Sequence, residues 1–200
     1  MDEAAALKRE LVALGAATEA GFEAGGTAVE RIKALAAQLE AVNPTPVSAR
    51  ADGLLKGRWR LIYSSFGLQR RTTLARLSFN ILPKHEIEVD GLFQEVDPAT
   101  GLYDNIVEFR RDGKAGVNVT LGRFSPTGAE RLAVEFTDVG VISSGLRQRL
   151  PIVNDKLPPM HSDVTYLDDD FRLNRGGFGN LYVLELVERT PARWTRSLTT

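Results

Sequence analysis

The chain of 200 residues contains no cysteine, so it has no disulfide framework, no thiol nucleophile and no thiolate metal site. Histidine is scarce as well: His85 and His161 are the only two, which leaves few candidates for general-base work. Charge of one sign is also missing. The 25 Lys and Arg against 26 Asp and Glu leave a formal −1 at pH 7, without the long-range field that gathers nucleic acid. No uncharged apolar run reaches the roughly 20 residues needed to cross a bilayer as a helix. The first residues, Met1-Asp2-Glu3, are acidic where a secretory or plastid-directing leader is basic or poor in acid. A cytoplasmic protein, or one held peripherally at a lipid surface, is expected.

What is there is ordinary globular material, 43% hydrophobic and 26% charged. The length favours one domain, able to bury roughly 70% of its unfolded surface. Residues 1–46 are rich in Ala, Leu and Glu and carry a helical period. Leu7, Leu11 and Leu14 form one apolar stripe, and Val29, Ile32, Leu35, Ala36, Leu39 and Val42 form another after the Gly25-Gly26 break. Thr27 and Glu30 have capping-box spacing, and Pro44 with Pro46 ends the second helix. Both stripes are expected to lie against the main domain.

From Gly57 the period becomes two. Trp59, Leu61 and Tyr63 make a first strand, and Leu77, Phe79 and Ile81 a second. A third runs from Ile87 to Val96, and a fourth holds Tyr103, Asn105, Val107 and Phe109. Asp112-Gly113 marks a hairpin to Val117, Val119 and Leu121. Leu132, Val134 and Phe136 follow, then a less regular stretch over 139–159, then strands at 164–173 and 181–187 joined by a glycine-rich turn. About eight strands in meander order, with no helical crossovers, predict an antiparallel sheet that removes its edges by closing into a barrel over 54–190. Eight strands leave an interior wide enough for side chains or one small ligand. Residues 191–200 are expected to form a flexible tail.

Two blocks carry a family resemblance. The first is Gly57-Arg58-Trp59-Arg60-Leu61-Ile62-Tyr63-Ser64-Ser65. The second is Thr165-Tyr166-Leu167-Asp168-Asp169-Asp170-Phe171-Arg172-Leu173-Asn174-Arg175-Gly176-Gly177, continued by Gly179-Asn180-Leu181-Tyr182-Val183-Leu184. Together they resemble the plastid lipid-associated protein (fibrillin) family, over the chain from about Leu7 to Glu188. The chain departs from the pattern at Gly176-Gly177-Phe178, where an acidic residue is common after Arg-Gly, and at Glu185, near a position often basic. These departures and the absence of a leader fit a bacterial or cyanobacterial relative. The resemblance implies an all-β, lipocalin-like barrel with a helical lead-in. It also implies binding of an apolar lipid, carotenoid, prenylquinone or acyl chain, without cofactor or catalysis, at a thylakoid or lipid-droplet surface. A protein partner in isoprenoid or photosynthetic machinery is a further implication.

The expected cavity lining is Leu61, Tyr63, Leu77, Phe79, Val107, Phe109, Val119, Leu121, Val134, Phe136 and Val183, with Tyr182 the alternative to Val183, since adjacent residues face opposite ways. Arg60, Arg147 and Arg149 are the expected headgroup contacts at the mouth, with Arg70-Arg71 a second basic spot beside Phe66 and Leu68. The 139–159 stretch is a candidate lid. Gly57, Trp59, Asp168, Asp170, Arg172, Arg175, Gly176 and Arg189 form the expected structural signature. In it Trp59 plugs one end beneath an arginine, Arg189 in first place and Arg172 in second, through a cation–π contact of roughly 0.5–2 kcal/mol. Asp168 and Asp170 are expected to pin Arg172 or Arg175, since consecutive strand residues cannot converge on a metal and hard cations need more oxygens. Ser64-Ser65 lacks a nucleophile elbow, and the Gly176–Gly179 turn joins two strands where a phosphate cradle needs a helix behind it. Two alternatives stay open. One is a filled barrel that docks on a protein; the other is a lipid isomerase using a carboxyl inside the barrel, with Glu108, Glu135 and Asp138 as candidates.

Overall fold

The computed structural model describes residues 3–22, 25–67, 69–153 and 158–190, with Phe178 described in its backbone alone. The expected tail 191–200, Leu68, and 154–157 of the candidate lid lie outside the described residues.

Two helices lead, α1 over Glu3–Ala17 and α2 over Thr27–Ala41. The leucine stripes are the reason they dock: Leu7, Leu11, Ile32, Leu35, Ala36 and Leu39 are all buried. Thr27 makes no capping hydrogen bond, because Gly26 occupies the N-cap position and Glu30 turns to Lys33 at 2.9 Å. The capping box expected there does not form.

Ten strands follow: β1 Gly57–Ser64, β2 Arg71–Thr73, β3 Glu86–Asp97, β4 Leu102–Arg111, β5 Lys114–Pro126, β6 Arg131–Ser143, β7 Leu146–Pro151, β8 Met160–Leu167, β9 Phe171–Gly176 and β10 Leu181–Glu188. Eight of them close into an antiparallel barrel in the order β1-β10-β9-β8-β6-β5-β4-β3, sealed by β3 pairing back on β1. The two extra strands extend it: β2 lies on β3, and β7 on the part of β6 that β8 does not reach. The stretch expected to be irregular from 139 is therefore mostly hairpin. β6 runs on to Ser143, turns at Gly145 and returns as β7.

The expected strand over Leu77, Phe79 and Ile81 is not one. A short helix α3 covers Asp52–Leu55, and another, α4, covers Leu74–Leu77; Phe79 and Asn80 then take positive φ. Local hydrogen bonds outcompete the ladder here. The Thr73 hydroxyl accepts from the Arg76 amide, and Ser78 Oγ donates to the Leu74 carbonyl while accepting from the Leu82 amide.

Two main cores result. One fills the barrel around Trp59, Val96, Phe109, Phe136 and Leu184. The other lies between the helices and the outer wall of β1, β8, β9 and β10, through Ile62, Tyr63, Tyr166, Phe171, Leu173 and Val183. A small third cluster, Ile106, Val119 and Leu121, sits on the outward faces of β4 and β5.

Candidate ligand site in the barrel lumen

Pairing register sorts inward from outward residues, because directly opposed strand residues share a face. Trp59 pairs with Leu186 and Gln94, Gln94 with Asn105, and Asn105 with Thr120, so these line the lumen. Leu61, Val107, Phe109, Val134 and Phe136, expected as lining, lie in or against the same interior cluster, as does Tyr182, the alternative to Val183. Leu77 packs on that cluster from α4, and Phe79 sits at its rim with its ring 6.1 Å from Phe136.

Four expected lining residues face outward instead. A register shift between Leu61 and Tyr63 turns Tyr63 onto the helices, and Val183 joins it there while Tyr182 takes the inward position. Val119 and Leu121 point outward, and their neighbours Asn118 and Thr120 point in. Simple alternation fails at these positions because both sides of the wall are apolar in places. Arg60 is also outward, paired with Glu185 at 2.5 Å, so it is not at the mouth. Arg149 holds Asp138 at 3.1 Å on the β6–β7 flap, and Arg147 is exposed beside it on β7.

At the closed end, Trp59 is wholly buried and donates its Nε1 hydrogen to the Leu55 carbonyl at 2.9 Å. Both candidate arginines lie against the indole. The Arg172 guanidinium is the nearer, 4.7 Å from the ring against 5.7 Å for Arg189. Arg189 fastens the end shut by donating to the carbonyls of Leu54, Lys56 and Asp169. Gly57 is required by φ +150° and by space: a Cβ there would stand 2.6 Å from the Glu188 carbonyl oxygen.

The acidic run has a different partner from the one expected. Lys8 of α1 reaches Asp168 at 2.8 Å and Asp170 at 2.5 Å, while Asp168 also accepts from the Tyr166 hydroxyl at 2.6 Å. Arg175 goes to Glu40 of α2 at 2.8 Å, and Glu40 also accepts from the Thr165 hydroxyl at 2.7 Å. These carboxylates tie the helices to the barrel. Burial opposes ionisation of Asp168, yet hydrogen bonds from Lys8 and Tyr166 hold its carboxyl below the ordinary range.

The lumen contains a polar row that the sequence reading missed. Arg172 donates to Gln94 Oε1; Gln94 Nε2 donates to Asn105 at 3.0 Å; Asn174 donates to Ser162 at 2.8 Å. Arg172 is fully buried, and desolvation lowers its pKa to about 10, so it stays cationic at neutral pH. Tyr103 bears on both Arg172 and Tyr182, whose hydroxyl burial pushes up to about 12. Glu108, Glu135 and Asp138 are not in this row. Glu108 pairs with outward Arg58 at 2.6 Å, Glu135 is exposed, and Asp138 serves Arg149. Among the described residues no carboxylate lines the lumen.

Packing inside is uneven. A Cβ on Gly116 would come 2.5 Å from the Phe109 ring, and one on Gly122 2.8 Å from Phe136. That side is full. Leu61, Gln94, Asn105, Val107 and Tyr182 point inward yet remain only half-buried. Away from the Trp59 end, apolar side chains break the surface: Phe66 after β1 is 60% exposed, Met160 opening β8 37%, and Phe79 and Val153 beside β6 38% and 63%. Ser64 and Ser65 are occupied, accepting from the amides of Phe66 and Leu181. Two hollows also indent the outer wall. One of about 830 Å³ lies beside β2 near Arg71, Arg76 and Arg110, and one of about 460 Å³ lies between α1 and β10 near Lys8 and Glu185. No helix among the described residues is long and apolar enough to cross a membrane.

A closed eight-stranded barrel with a Gly-x-Trp first strand, and an arginine against that tryptophan, is a lipocalin-like architecture. Within it, a family model described as PAP_fibrillin matches residues 5–185, and the chain belongs to that family. It is 29% identical to the probable plastid-lipid-associated protein 2 of Arabidopsis thaliana, covering 96% of this chain and 73% of that one. It is 24% identical to the chromoplast-specific carotenoid-associated protein C1 of an Oncidium hybrid cultivar, covering 92% and 70%. It is 27% identical to plastoglobulin-1 of Pisum sativum, covering 89% and 60%.

Proposed function

We propose that this protein associates with lipid without catalysing a reaction, and that its barrel takes up one apolar chain, isoprenoid or acyl, from a lipid surface. The observation that carries the reading is the incompletely buried inward face of Leu61, Val107 and Tyr182, together with the exposed apolar side chains Phe66, Phe79, Val153 and Met160. Relatives named for plastid lipids, carotenoids and plastoglobules support it. Each buried methylene contributes about 0.8 kcal/mol, so roughly ten of them suffice for micromolar affinity after the cost of association. Arg147 and Arg149, exposed on β7, suit an anionic lipid surface, at about 1 kcal/mol per basic residue close to it. The tight contacts around Phe109 and Phe136 favour a second reading, a filled barrel that docks on a protein partner. Delipidated protein titrated with a prenylquinone and with a fluorescent acyl chain separates the two. One-to-one binding in the micromolar range supports uptake, and no binding at tens of micromolar leaves only the docking module.

A further inference from the structure

We infer that the lumen recognises an amphipathic lipid by its carboxylate, with Arg172 as the anion receptor. This deepens the lipid-uptake reading and rests on it.

Arg172 has no exposed surface, and its Nε and Nη1 find no acceptor among the described residues. One donor, Nη2, is used on Gln94. The indole of Trp59 lies against the guanidinium but supplies no hydrogen-bond acceptor and no counter-charge. A guanidinium buried in this state is costly, both for its charge and for its two idle donors. Arg58, the other buried arginine among the described residues, is paired: it reaches Glu95 and Glu108. Those partners lie on the outward face; in the lumen the Gln94 amide is the acceptor that Arg172 has among the described residues.

The neighbours fit a ligand with a hydrated or ionised end. Gln94, which accepts from Arg172, is inward and half-buried, as is Asn105 beside it, so a ligand would reach Arg172 by displacing the Gln94 amide, and Tyr103 stands close by. From there the half-buried Leu61, Val107 and Tyr182 continue toward the apolar end of the barrel. A carboxylate that displaces the Gln94 amide oxygen would fork onto Nη2 and one of the idle nitrogens and neutralise the charge, while its hydrocarbon chain ran along that wall. A neutral quinone would satisfy donors without removing the charge, and a hydrocarbon carotenoid would do neither. The chemistry therefore favours a long-chain monocarboxylate.

Delipidated protein is titrated with cis-parinaric acid and, separately, with its methyl ester, which has the same chain without the charge. The expected result is acid binding at least ~10-fold tighter than ester. In Gln94→Glu, which sets a carboxylate of the protein's own beside Arg172, the acid-to-ester ratio is expected to fall toward one. Arg172→Met should do the same. If it fails to fold, Gln94→Glu decides, since its side chain keeps the native size. Equal binding of acid and ester to the native protein would overturn the carboxylate assignment and leave lipid uptake standing. A preference that survives both substitutions overturns Arg172 as its source. Binding of neither probe at tens of micromolar removes the uptake reading itself.

Discussion

Trp59 holds the closed end through a hydrogen bond to Leu55 and contacts with two guanidinium groups, and these have separate tasks. Arg189 donates to three backbone carbonyls, those of Leu54, Lys56 and Asp169, and so ties the α3 end to the turn before β9. Replacing it with Ala is expected to cost about 2 kcal/mol of stability, read from urea denaturation. Gly57→Ala should cost at least as much, because φ +150° disfavours any side chain and the new Cβ would meet the Glu188 carbonyl and Leu186. A change of less than about 0.5 kcal/mol at Gly57 contradicts that account. At this scale the sequence was readable where a short motif carried geometry. Gly57 opens β1 and Trp59 is buried at the closed end, but Arg172, expected second to Arg189 at the indole and beside the acidic run, is the nearer to the ring and bonds Gln94. The polar lumen residues Gln94, Asn105 and Asn174 were not readable, because polar positions on an alternating strand are assigned to solvent by default.

The helices are the element whose attachment is most easily tested. Two latches fix them beyond apolar contact, Lys8 on Asp168 and Asp170, and Glu40 on Arg175 and Thr165. Burial works against the charge on Lys8, but hydrogen bonds to Asp168 and Asp170 raise its pKa on balance. Asp168 moves the other way, held low by Lys8 and Tyr166 against its burial. A depressed carboxyl stabilises the fold above its unfolded pKa, near 4, and that contribution is lost as pH falls through the lower folded value. A raised lysine contributes below about pH 10.4 and loses that contribution as pH climbs through its folded value. Hydrogen exchange of the α1 amides should therefore quicken below about pH 4, before the barrel amides respond. Lys8→Met should remove most of this pH dependence at a cost of about 1 kcal/mol or less. Unchanged α1 protection from pH 7 to pH 3 would contradict the latch. The sequence placed both helices against the barrel from their leucine stripes, but the partners of the acidic run depend on which face of β8 and β9 the helices cover. Spacing does not encode that. The second expected strand failed for a local reason, since Thr73 and Ser78 satisfy the backbone of α4 from their own side chains.

For the molecule as a whole, barrel closure was legible because the strand count, short connections and absence of crossovers leave few other ways to remove sheet edges. Which residues line the lumen was only half legible. The helices bury the outside of β1, β8, β9 and β10, so apolar residues on those strands point both ways, and one bulge at Ile62 moves Tyr63 to the other face. Function follows from what the closed sheet encloses. A ligand that binds the folded barrel alone raises its melting temperature, by an amount equivalent to about 2.7 kcal/mol at a hundred times its Kd. The most direct measurement fills the lumen from within. Leu61→Trp puts a larger ring on the inward, half-buried wall without touching the helices, the closed end or the basic flap. Titration of this variant with the acyl probe and the prenylquinone, alongside a melt that shows it folded, is expected to give at least ~10-fold weaker binding than the native protein. Native-strength binding by a folded Leu61→Trp protein would place the lipid outside the barrel and contradict the account.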